Sequence, residues 1–213
     1  MTGKSEKLMS LLGDQPVIPV LKVKNATSAV PLARALAKGG LRLIEITLRT
    51  PEALEAIRRV AGEVEGAVVG AGTVLNPKQF DEAAKAGSKF IVSPGLTGSL
   101  ISAAAGSDVP LLPGAITPGE IMTALEAGID FLKFFPAEQA GGTTFLRSLA
   151  SPLAAARFCP TGGISALNAE EYLAVPNVVC VGGSWVAPDD LVRDGKWDVI
   201  ESLARQASAL KAI

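Results

Sequence analysis

The chain is organised as a repeat in which short apolar runs alternate with helical patterns. The runs are rich in Val, Ile and Phe and begin roughly 20 to 26 residues apart, close to the length of one βα unit. Eight such runs are present: PVIPVL (16–21), RLIEITL (42–48), GAVVGAG (66–72), KFIVSP (89–94), VPLLPG (109–114), FLKFFP (131–136), RFCPTG (157–162) and VVCVGG (178–183). This alternation predicts an α/β fold with a parallel sheet.

The joints between predicted strands and helices carry matching signals. Three helices are predicted to begin where a capping side chain precedes a proline, at Thr50-Pro51, Asn76-Pro77 and Thr117-Pro118. The same helices are predicted to end at Gly62, Gly87 and Gly128. Thr117 and Glu120 also match a capping box. The order of cap, helix, glycine and strand is that of consecutive βα units.

Eight units within 213 residues predict a minimal (β/α)8 barrel that occupies the whole chain, 1–213, as one domain. A short helix over 5–12 is expected to precede the first strand and to cover the bottom of the barrel. The last helix is expected over 198–211. The alternative is a doubly wound open sheet, which usually has fewer strands.

Composition excludes several classes of partner. The chain is 48% hydrophobic and 19% charged, so a sizeable core is expected. A net charge of −1 without a basic run gives no indication of a nucleic-acid partner. Apolar stretches are too short for a membrane span, and the first residues are too polar for a secretory signal. We therefore expect a cytoplasmic protein, in which Cys159 and Cys180 are reduced core residues.

Histidine is absent from the chain. A Ser-His-Asp or Cys-His site is therefore impossible within it, as is a metal site built on imidazole. Acid–base chemistry is left to Glu, Asp, Lys or Tyr. The sequence shows no tight acidic cluster for magnesium, so we expect no metal and no other cofactor.

The second predicted strand separates apolar from polar side chains by parity. One face carries Ile44, Ile46 and Leu48, and the other carries Leu43, Glu45, Thr47 and Arg49. The apolar face belongs against the surrounding helices, so the polar face is predicted to point into the barrel. Glu45 and Arg49 then either serve a ligand near the mouth or form a structural ion pair.

Lys133 lies within the apolar run of the sixth predicted strand. It either extends outward between helices or points inward between Phe131 and Phe135, and the apolar context favours the inward direction. An inward lysine is poorly solvated, which favours its neutral amine, a nucleophile towards carbonyls. The alternative is a structural lysine paired with Glu45.

An imine on Lys133 would activate the neighbouring carbon of a keto acid and would need a second group to move protons. Glu45 is the candidate for that role, because it is a carboxylate on an inward strand face near the barrel mouth. Arg49, one pleat further towards the loop, is suited to hold a substrate carboxylate with two hydrogen bonds. Thr73, just after the third strand, can add a hydroxyl and backbone donors.

Glycine pairs follow the last two predicted strands, in Thr161-Gly162-Gly163 and Gly182-Gly183-Ser184. Loops at these positions commonly bind phosphate in barrels, because bare backbone N–H groups approach an anion closely. Each pair alone is also compatible with a plain turn. Ser93 and Pro94, at the end of the fourth strand, are possible residues of the mouth.

Several segments together resemble the 2-keto-3-deoxy-6-phosphogluconate (KDPG) aldolase family. They are VIPVL, ExTLRT (45–50), VGAGTVLNP (69–77), SPGLT (93–97), FLKFFPAE (131–138), RFCPTGG (157–163) and VGGSW (181–185). The resemblance covers nearly the whole chain. Each motif is short, but the set is specific.

The resemblance implies a metal-free class I aldolase of the Entner–Doudoroff pathway that cleaves 2-dehydro-3-deoxy-6-phosphogluconate to pyruvate and glyceraldehyde 3-phosphate. It implies Lys133 as the Schiff-base residue and Glu45 as the base. Arg49 and Thr73 would hold the pyruvate carboxylate, and 161–163 and 182–184 would receive the phosphate end. A cytoplasmic homotrimer and cleavage of 4-hydroxy-2-oxoglutarate are also implied.

Three alternatives to this function stay open on the sequence. In the first, the aldolase acts on the 6-phosphogalactonate epimer or on 4-hydroxy-2-oxoglutarate alone. In the second, the protein is a barrel isomerase or epimerase that forms no imine. A non-catalytic barrel that binds a phosphorylated metabolite is the third.

Overall fold

The computed structural model describes residues 2–210 and shows an α/β fold whose short parallel strands form a curled sheet. Within these residues the strands are β1 Val17–Leu21, β2 Leu43–Thr47, β3 Val68–Gly72, β4 Ile91–Val92, β5 Leu111–Leu112, β6 Phe131–Phe134, β7 Arg157–Pro160 and β8 Val181–Gly183. The eight predicted strands are thus present, and several are shorter than the apolar runs. Six of the eight runs end in Pro or Gly, residues that weaken or interrupt a regular ladder.

The helices in the described part of the chain are α1 Thr2–Leu12, α2 Ala26–Lys38, α3 Ala53–Glu63, α4 Pro77–Lys85, α5 Gly98–Ala105, α6 Pro118–Glu126, α7 Gly142–Leu149, α8 Ala169–Leu173, α9 Asp189–Arg193 and α10 Trp197–Ser208. Seven of them, α2 to α8, connect successive strands; α1 precedes β1, and α9 and α10 follow β8. α10 ends earlier than predicted, and residue 211 of that prediction lies outside the described residues. No helix within residues 2–210 is long and apolar enough to cross a membrane.

Strand pairing follows chain order. Six strands are hydrogen-bonded in the order β5-β4-β3-β2-β1-β8, and β6 pairs with β7. Isolated parallel bridges join Gly114 to Lys133, Phe158 to Val178, and Thr161 to Gly182. Every pairing is parallel, so the carboxyl ends of all these strands lie on the same side of the sheet.

The buried apolar side chains form two clusters, one on each face of the sheet. The larger cluster includes Ile44 and Ile46 and fills the space between strands and helices. The smaller lies inside the curled sheet and contains Ile18, Leu43, Phe90, Val92, Leu112, Phe131, Cys159 and Cys180, together with Leu8 and Leu12 of α1. Both cysteines are free and buried. The parity predicted for β2 is therefore present, since Leu43 and Ile44 belong to different cores.

Two of the three predicted helix starts are confirmed. Asn76 accepts a hydrogen bond from the Gln79 N–H at the start of α4, and Thr117 and Glu120 form the capping box of α6. The carboxylate of Glu120 accepts backbone N–H bonds there, which lowers its pKa. These caps satisfy N–H groups that have no partner in the first turn of a helix.

The predicted helix boundaries at Thr50-Pro51 and Gly62 are wrong. The hydroxyl of Thr50 donates to the Val23 carbonyl at 2.6 Å, so it is committed to the β1–α2 connection and is unavailable as a cap. α3 consequently begins at Ala53 and continues past Gly62 to Glu63. The other two predicted stops, Gly87 and Gly128, have positive φ as expected, at 105° and 72°.

Candidate active site

A cavity of about 190 Å³ opens at the carboxyl ends of the strands. Its lining residues are Val20, Glu45, Thr47, Arg49, Thr73, Pro94, Lys133, Phe135, Thr161, Gly162, Gly163, Ile164, Gly182, Gly183 and Ser184. Charged side chains come from β2 and β6, and glycines come from the ends of β7 and β8. The cavity therefore has a charged end and a backbone-lined end.

Lys133 and Glu45 face each other across the cavity. Lys133 is 6% exposed and Glu45 is 3% exposed, and the Lys133 Nζ lies 3.5 Å from the Glu45 Oε1. Isolated charges at this depth are costly, and this contact gives each of the two side chains a partner of opposite charge. The same contact lets a proton pass from the amine to the carboxylate. The centroid of the Phe135 ring lies 5.3 Å from the Nζ, within the range of a cation–π contact.

Glu45 occupies space left by a glycine on the neighbouring strand. Gly72 at the end of β3 pairs in register with Thr47, and a Cβ added to Gly72 would lie 2.0 Å from the Glu45 Oε1 and 2.6 Å from its carboxyl carbon. Such contacts are far below van der Waals distance. The position of the carboxylate therefore requires glycine at residue 72.

Arg49 is held by a buried threonine on the same face of β2. The Arg49 Nε donates to the Thr47 hydroxyl at 3.1 Å, and that hydroxyl donates to the Leu21 carbonyl on β1 at 2.8 Å. Thr47 is 0% exposed, so this chain of bonds is fixed within the sheet. Within residues 2–210 no other partner engages the guanidinium, which leaves its paired Nη–H groups for a ligand.

Thr73 has a strained backbone. Its φ is 57°, and among residues 2–210 no other non-glycine residue has positive φ. This region is especially unfavourable for a β-branched residue, and such strain of about 1–3 kcal/mol occurs mainly where function requires it. The conformation sets Thr73 on the cavity wall together with Arg49.

The opposite end of the cavity is formed by backbone. Gly162 and Gly163 have φ of 99° and 80°, in a turn that most side chains would strain. The N–H groups of Gly162, Gly163 and Ser184 have no hydrogen-bond partner within the described part of the chain. Thr161 is buried, and a Cβ on Gly182 would lie 2.3 Å from its hydroxyl oxygen. Unpaired N–H groups of this kind form an anion-binding concavity.

Residues 8–203 match the family described as KDPG and KHG aldolase. This match covers most of the 213 residues. The chain belongs to this family. The resemblance seen in its motifs is thereby confirmed.

Relatives of this aldolase family member are similar over nearly their full lengths. The KHG/KDPG aldolase of Escherichia coli strain K12 is 50% identical over 198 residues, which are 93% of each chain. A crystal structure of the Zymomonas mobilis ZM4 KDPG aldolase with 3-phosphoglycerate is 49% identical, has a TM-score of 0.90 and covers 96% of this chain and 97% of its own.

A further crystal structure of an aldolase from this family carries chemical information. It is the KDPG aldolase of Legionella pneumophila with pyruvate captured at low pH as a covalent carbinolamine intermediate. It is 42% identical with a TM-score of 0.91, and the match covers 94% of this chain and 97% of that one. A carbinolamine is the adduct of an amine and a carbonyl, the first step of Schiff-base formation.

The structure of this aldolase family member brings nearly all the sequence-predicted site residues to one cavity. Those from β2, β3, β6, β7 and β8 line it, as does Pro94. Ser93 does not line it: Ser93 is 2% exposed, and its hydroxyl accepts a hydrogen bond from the Gly95 N–H. The hydroxyl of Ser93 therefore shapes the loop that carries Pro94.

Sequence reasoning missed four lining residues. Val20, Phe135 and Ile164 were assigned no place at the site, and Thr47 was placed on the inward face without a role. Phe135 shares the parity of Lys133 two residues away, so alternation along β6 was the available signal. No sequence pattern singles out Val20 or Ile164 from other apolar residues of the chain.

A larger recess of about 520 Å³ lies at the other end of the sheet, around α1 and the β2 start. Two of its polar side chains, Gln15 and Arg42, form hydrogen bonds that hold the chain together. Gln15 bonds to the backbone of Val17, Arg42 and Leu43, and the Arg42 Nε donates to the Gly66 carbonyl. The smaller cavity, in contrast, contains groups without a hydrogen-bond partner in residues 2–210, namely the Arg49 Nη–H groups and the N–H groups of Gly162, Gly163 and Ser184.

Within residues 2–210, no group of three or more His, Cys, Asp and Glu side chains is placed to hold a metal ion. The titratable pair of the cavity is Lys133 and Glu45.

Proposed function

We propose that this chain is a class I aldolase that reversibly cleaves 2-dehydro-3-deoxy-6-phosphogluconate to pyruvate and D-glyceraldehyde 3-phosphate. The observation that carries the proposal is the buried Lys133 amine, 3.5 Å from the Glu45 carboxylate, in a cavity that also contains Arg49. Relatives at about 50% identity are named for this activity, and the Legionella structure holds a covalent pyruvate carbinolamine.

The first half of the reaction builds an imine. Glu45 accepts the proton that the Lys133 ammonium loses, and the neutral amine attacks C2 of the keto acid. A proton moves from the attacking nitrogen to the former carbonyl oxygen, which becomes the hydroxyl of a neutral carbinolamine. Glu45 then returns a proton to this hydroxyl, which leaves as water, and the C2–N bond becomes a protonated imine.

The second half breaks the carbon–carbon bond. Glu45, again a carboxylate, takes the proton of the C4 hydroxyl, and the C3–C4 electron pair moves towards the imine. C4 becomes the aldehyde of glyceraldehyde 3-phosphate, and Lys133 retains pyruvate as an enamine. Protonation at C3 and hydrolysis release pyruvate and restore the amine. A positioned base of this kind contributes about 10²–10⁴ in rate.

The two ends of the cavity suit the two ends of this substrate. The free Nη–H groups of Arg49 match a carboxylate, with the Thr73 hydroxyl on the same wall. The phosphate is proposed to bind the N–H groups of the 161–163 turn and of the 182–184 segment. The same cavity is lined by residues from both ends, so one substrate can contact both.

We propose 4-hydroxy-2-oxoglutarate as a second substrate. The Escherichia coli relative is named as an aldolase for both KHG and KDPG, and both compounds carry the keto-acid end that Arg49 and Lys133 would engage. Cleavage of the 6-phosphogalactonate epimer remains the alternative within the same chemistry. Comparison of kcat/KM for both epimers distinguishes them, because they differ in the orientation of one hydroxyl group.

Incubation with pyruvate and borohydride, followed by mass spectrometry, tests the proposal. An imine former gains a stable pyruvate-derived adduct, which should map to Lys133. A barrel isomerase or a non-catalytic phosphometabolite-binding barrel gains none. Absence of the adduct in a folded protein would overturn the aldolase assignment.

We also propose that the sheet closes into a single (β/α)8 barrel over 1–213, with α1 across its amino-terminal end. The bridges between β5 and β6 and between β7 and β8 support closure, since they link the paired strands into one ring. Leu8 and Leu12 of α1 pack with the interior side chains, which supports its place at the bottom. A crystal structure of the protein tests this architecture.

Three further properties implied by the resemblance are proposals. The enzyme is a homotrimer, it acts in the cytoplasm, and its turnover needs no metal. Light scattering coupled to gel filtration tests the first, and cell fractionation the second. Turnover that is unchanged after dialysis against a chelator supports the third, and turnover lost to chelation and restored by a divalent cation contradicts it.

A further inference from the structure

The turn at Gly162 and Gly163 is backed by the segment that follows β6. The Glu138 N–H donates to the Gly162 carbonyl at 3.2 Å, and the Ala137 N–H donates to the Thr161 carbonyl at 2.8 Å. In these bonds the carbonyl groups of the turn are the acceptors. They leave its N–H groups free to face a ligand.

The side chain of Glu138 also lies against this turn. A Cβ on Gly163 would come within 2.3 Å of the Glu138 Cγ and 2.8 Å of its Cβ, so the aliphatic part of Glu138 covers Gly163 directly. The Glu138 Oε1 accepts a hydrogen bond from the hydroxyl of Tyr172 on α8. Glu138 is exposed, whereas Tyr172 is 1% exposed. The buried phenol thus anchors a surface carboxylate.

A second hydrogen-bonded connection joins the turn to the start of α8. The Asn168 Nδ2 donates to the Gly163 carbonyl at 3.1 Å, and the Tyr172 N–H donates to the Asn168 carbonyl at 3.3 Å. Tyr172 is therefore connected to Gly163 by two routes, through Glu138 and through Asn168. Burial, followed by the bond to Glu138, raises the pKa of Tyr172, so its hydroxyl stays protonated at neutral pH and above.

We propose that Glu138 and Tyr172 are positioning residues that set the Gly162–Gly163 turn for the phosphate end of the substrate. The hydrogen bond fixes both the shape of the turn and the location of the carboxylate. A released Glu138 carboxylate would repel a phosphate and compete for the same N–H groups. This inference rests on the proposed aldolase function and deepens it.

The test compares two substrates on Tyr172→Phe, which removes the hydroxyl and keeps the packing of the ring. KM for the phosphorylated substrate should rise about fivefold to tenfold, the effect of one hydrogen bond to a charged group, while kcat changes less than about twofold. KM for 4-hydroxy-2-oxoglutarate, which has no phosphate, should stay within about twofold of wild type. An equal change for both substrates, or no change for either, would overturn the inference.

A double variant separates the two parts of the effect. Adding Glu138→Gln to Tyr172→Phe removes the released charge, so part of the lost affinity for the phosphorylated substrate should return. The double variant should therefore have a lower KM for this substrate than Tyr172→Phe alone. A KM that is unchanged or higher contradicts the role of the carboxylate.

Thr143→Val is the matched control. The Thr143 hydroxyl donates to the Glu171 Oε1 at 2.8 Å, which joins α7 to α8 next to Tyr172 without touching the turn. This variant should leave the KM ratio of the two substrates unchanged. If it moves the ratio as far as Tyr172→Phe does, the effect belongs to α8 in general and the inference is wrong.

Tyr172 is the single tyrosine of the chain, which gives a direct readout. Enzyme made with 3-fluorotyrosine carries one ¹⁹F label beside Glu138. Glyceraldehyde 3-phosphate should shift its signal, and pyruvate alone should not; the reverse pattern contradicts the inference. Failure of the proposed function is distinct, because wild-type enzyme would then show neither a borohydride adduct nor cleavage.

Discussion

The two ends of the cavity are formed by different kinds of group, side chains at one end and backbone at the other. The end at β2 and β6 uses buried charged side chains, Glu45 and Lys133, with Arg49 at its edge. Among residues 2–210, the end at β7 and β8 contributes no charged side chain to the lining and presents glycine backbone instead. Both ends are proposed to bind an anionic group of the same substrate, and only the first is proposed to contain the reacting groups.

This difference reflects what each end must do. Proton transfer and attack on a carbonyl need groups that change protonation state, and these are side chains. Holding a phosphate needs only fixed dipoles, which backbone N–H groups supply without a flexible cation that would have to be ordered. Substitutions at the charged end should therefore affect both substrates alike, and substitutions at the glycine end should affect the choice between substrates.

Lys133→Ala should have the largest effect, because it removes the electron sink of the reaction. Turnover of both substrates should fall by more than about 10⁴, beyond what loss of a base alone produces. The pyruvate adduct trapped by borohydride should disappear. Lys89→Ala, at an exposed lysine outside the cavity, is the control and should retain both. An adduct that persists in Lys133→Ala would place the imine elsewhere.

Glu45→Gln should slow turnover of both substrates by about 10²–10⁴, since the amide cannot accept the C4 hydroxyl proton. Glutamine has nearly the same shape, so pyruvate should still bind and be trapped on Lys133. Single-turnover kinetics and adduct mass measure the two properties separately. Turnover equal to wild type would remove Glu45 from its proposed role.

Gly162→Ala should discriminate between the substrates. At φ of 99° an alanine is strained by roughly 1–2 kcal/mol, and its Cβ would lie 3.1 Å from the Pro136 Cα. The turn should shift and KM for the phosphorylated substrate should rise about tenfold or more, with a smaller change for 4-hydroxy-2-oxoglutarate.

Gly98→Ala serves as the control for this glycine substitution, because a Cβ at Gly98 meets nothing within 4 Å. It should leave both KM values unchanged. If Gly162→Ala changes the two substrates equally, the contrast between the ends of the cavity is incorrect.

Thr47→Val should have the smallest effect, and it should act on both substrates alike. It removes the hydroxyl that accepts from the Arg49 Nε, while the shape and burial of the side chain stay similar. A loosened guanidinium should raise KM for both keto acids about threefold to tenfold, and kcat should change little. Thr47→Ser should restore the wild-type values. A change confined to the phosphorylated substrate would contradict this role.

The sequence was most informative where a periodic rule applies. Alternation along β2 placed Glu45 and Arg49 on the face opposite to Ile44, and the structure has them on that face. The βα repeat predicted all the strands, because each unit carries its own apolar run and turn signals. Rules of this kind depend on neighbours in the chain and need no knowledge of tertiary contacts.

Hydrogen-bond partners were predicted least well where a side chain can bond either to a neighbour in the chain or to a distant residue. Thr50 looks like a helix cap by its position before proline, but its hydroxyl bonds to Val23, 27 residues earlier. The pair of Glu138 and Tyr172 is likewise separated by 34 residues. Such contacts follow from how βα units stack against one another, which no local pattern encodes.

The glycine at residue 72 has a consequence for attempts to transplant this chemistry. Copying the lysine, glutamate and arginine onto another scaffold would fail if the adjoining strand carried even a methyl group at the matching height, since the carboxylate would be displaced from the amine. The unit to graft is thus a pair of neighbouring strands, one carrying the glutamate and the other carrying glycine at the matching position. The reactivity that we propose therefore depends on the absence of a Cβ at residue 72 as well as on the side chains that react.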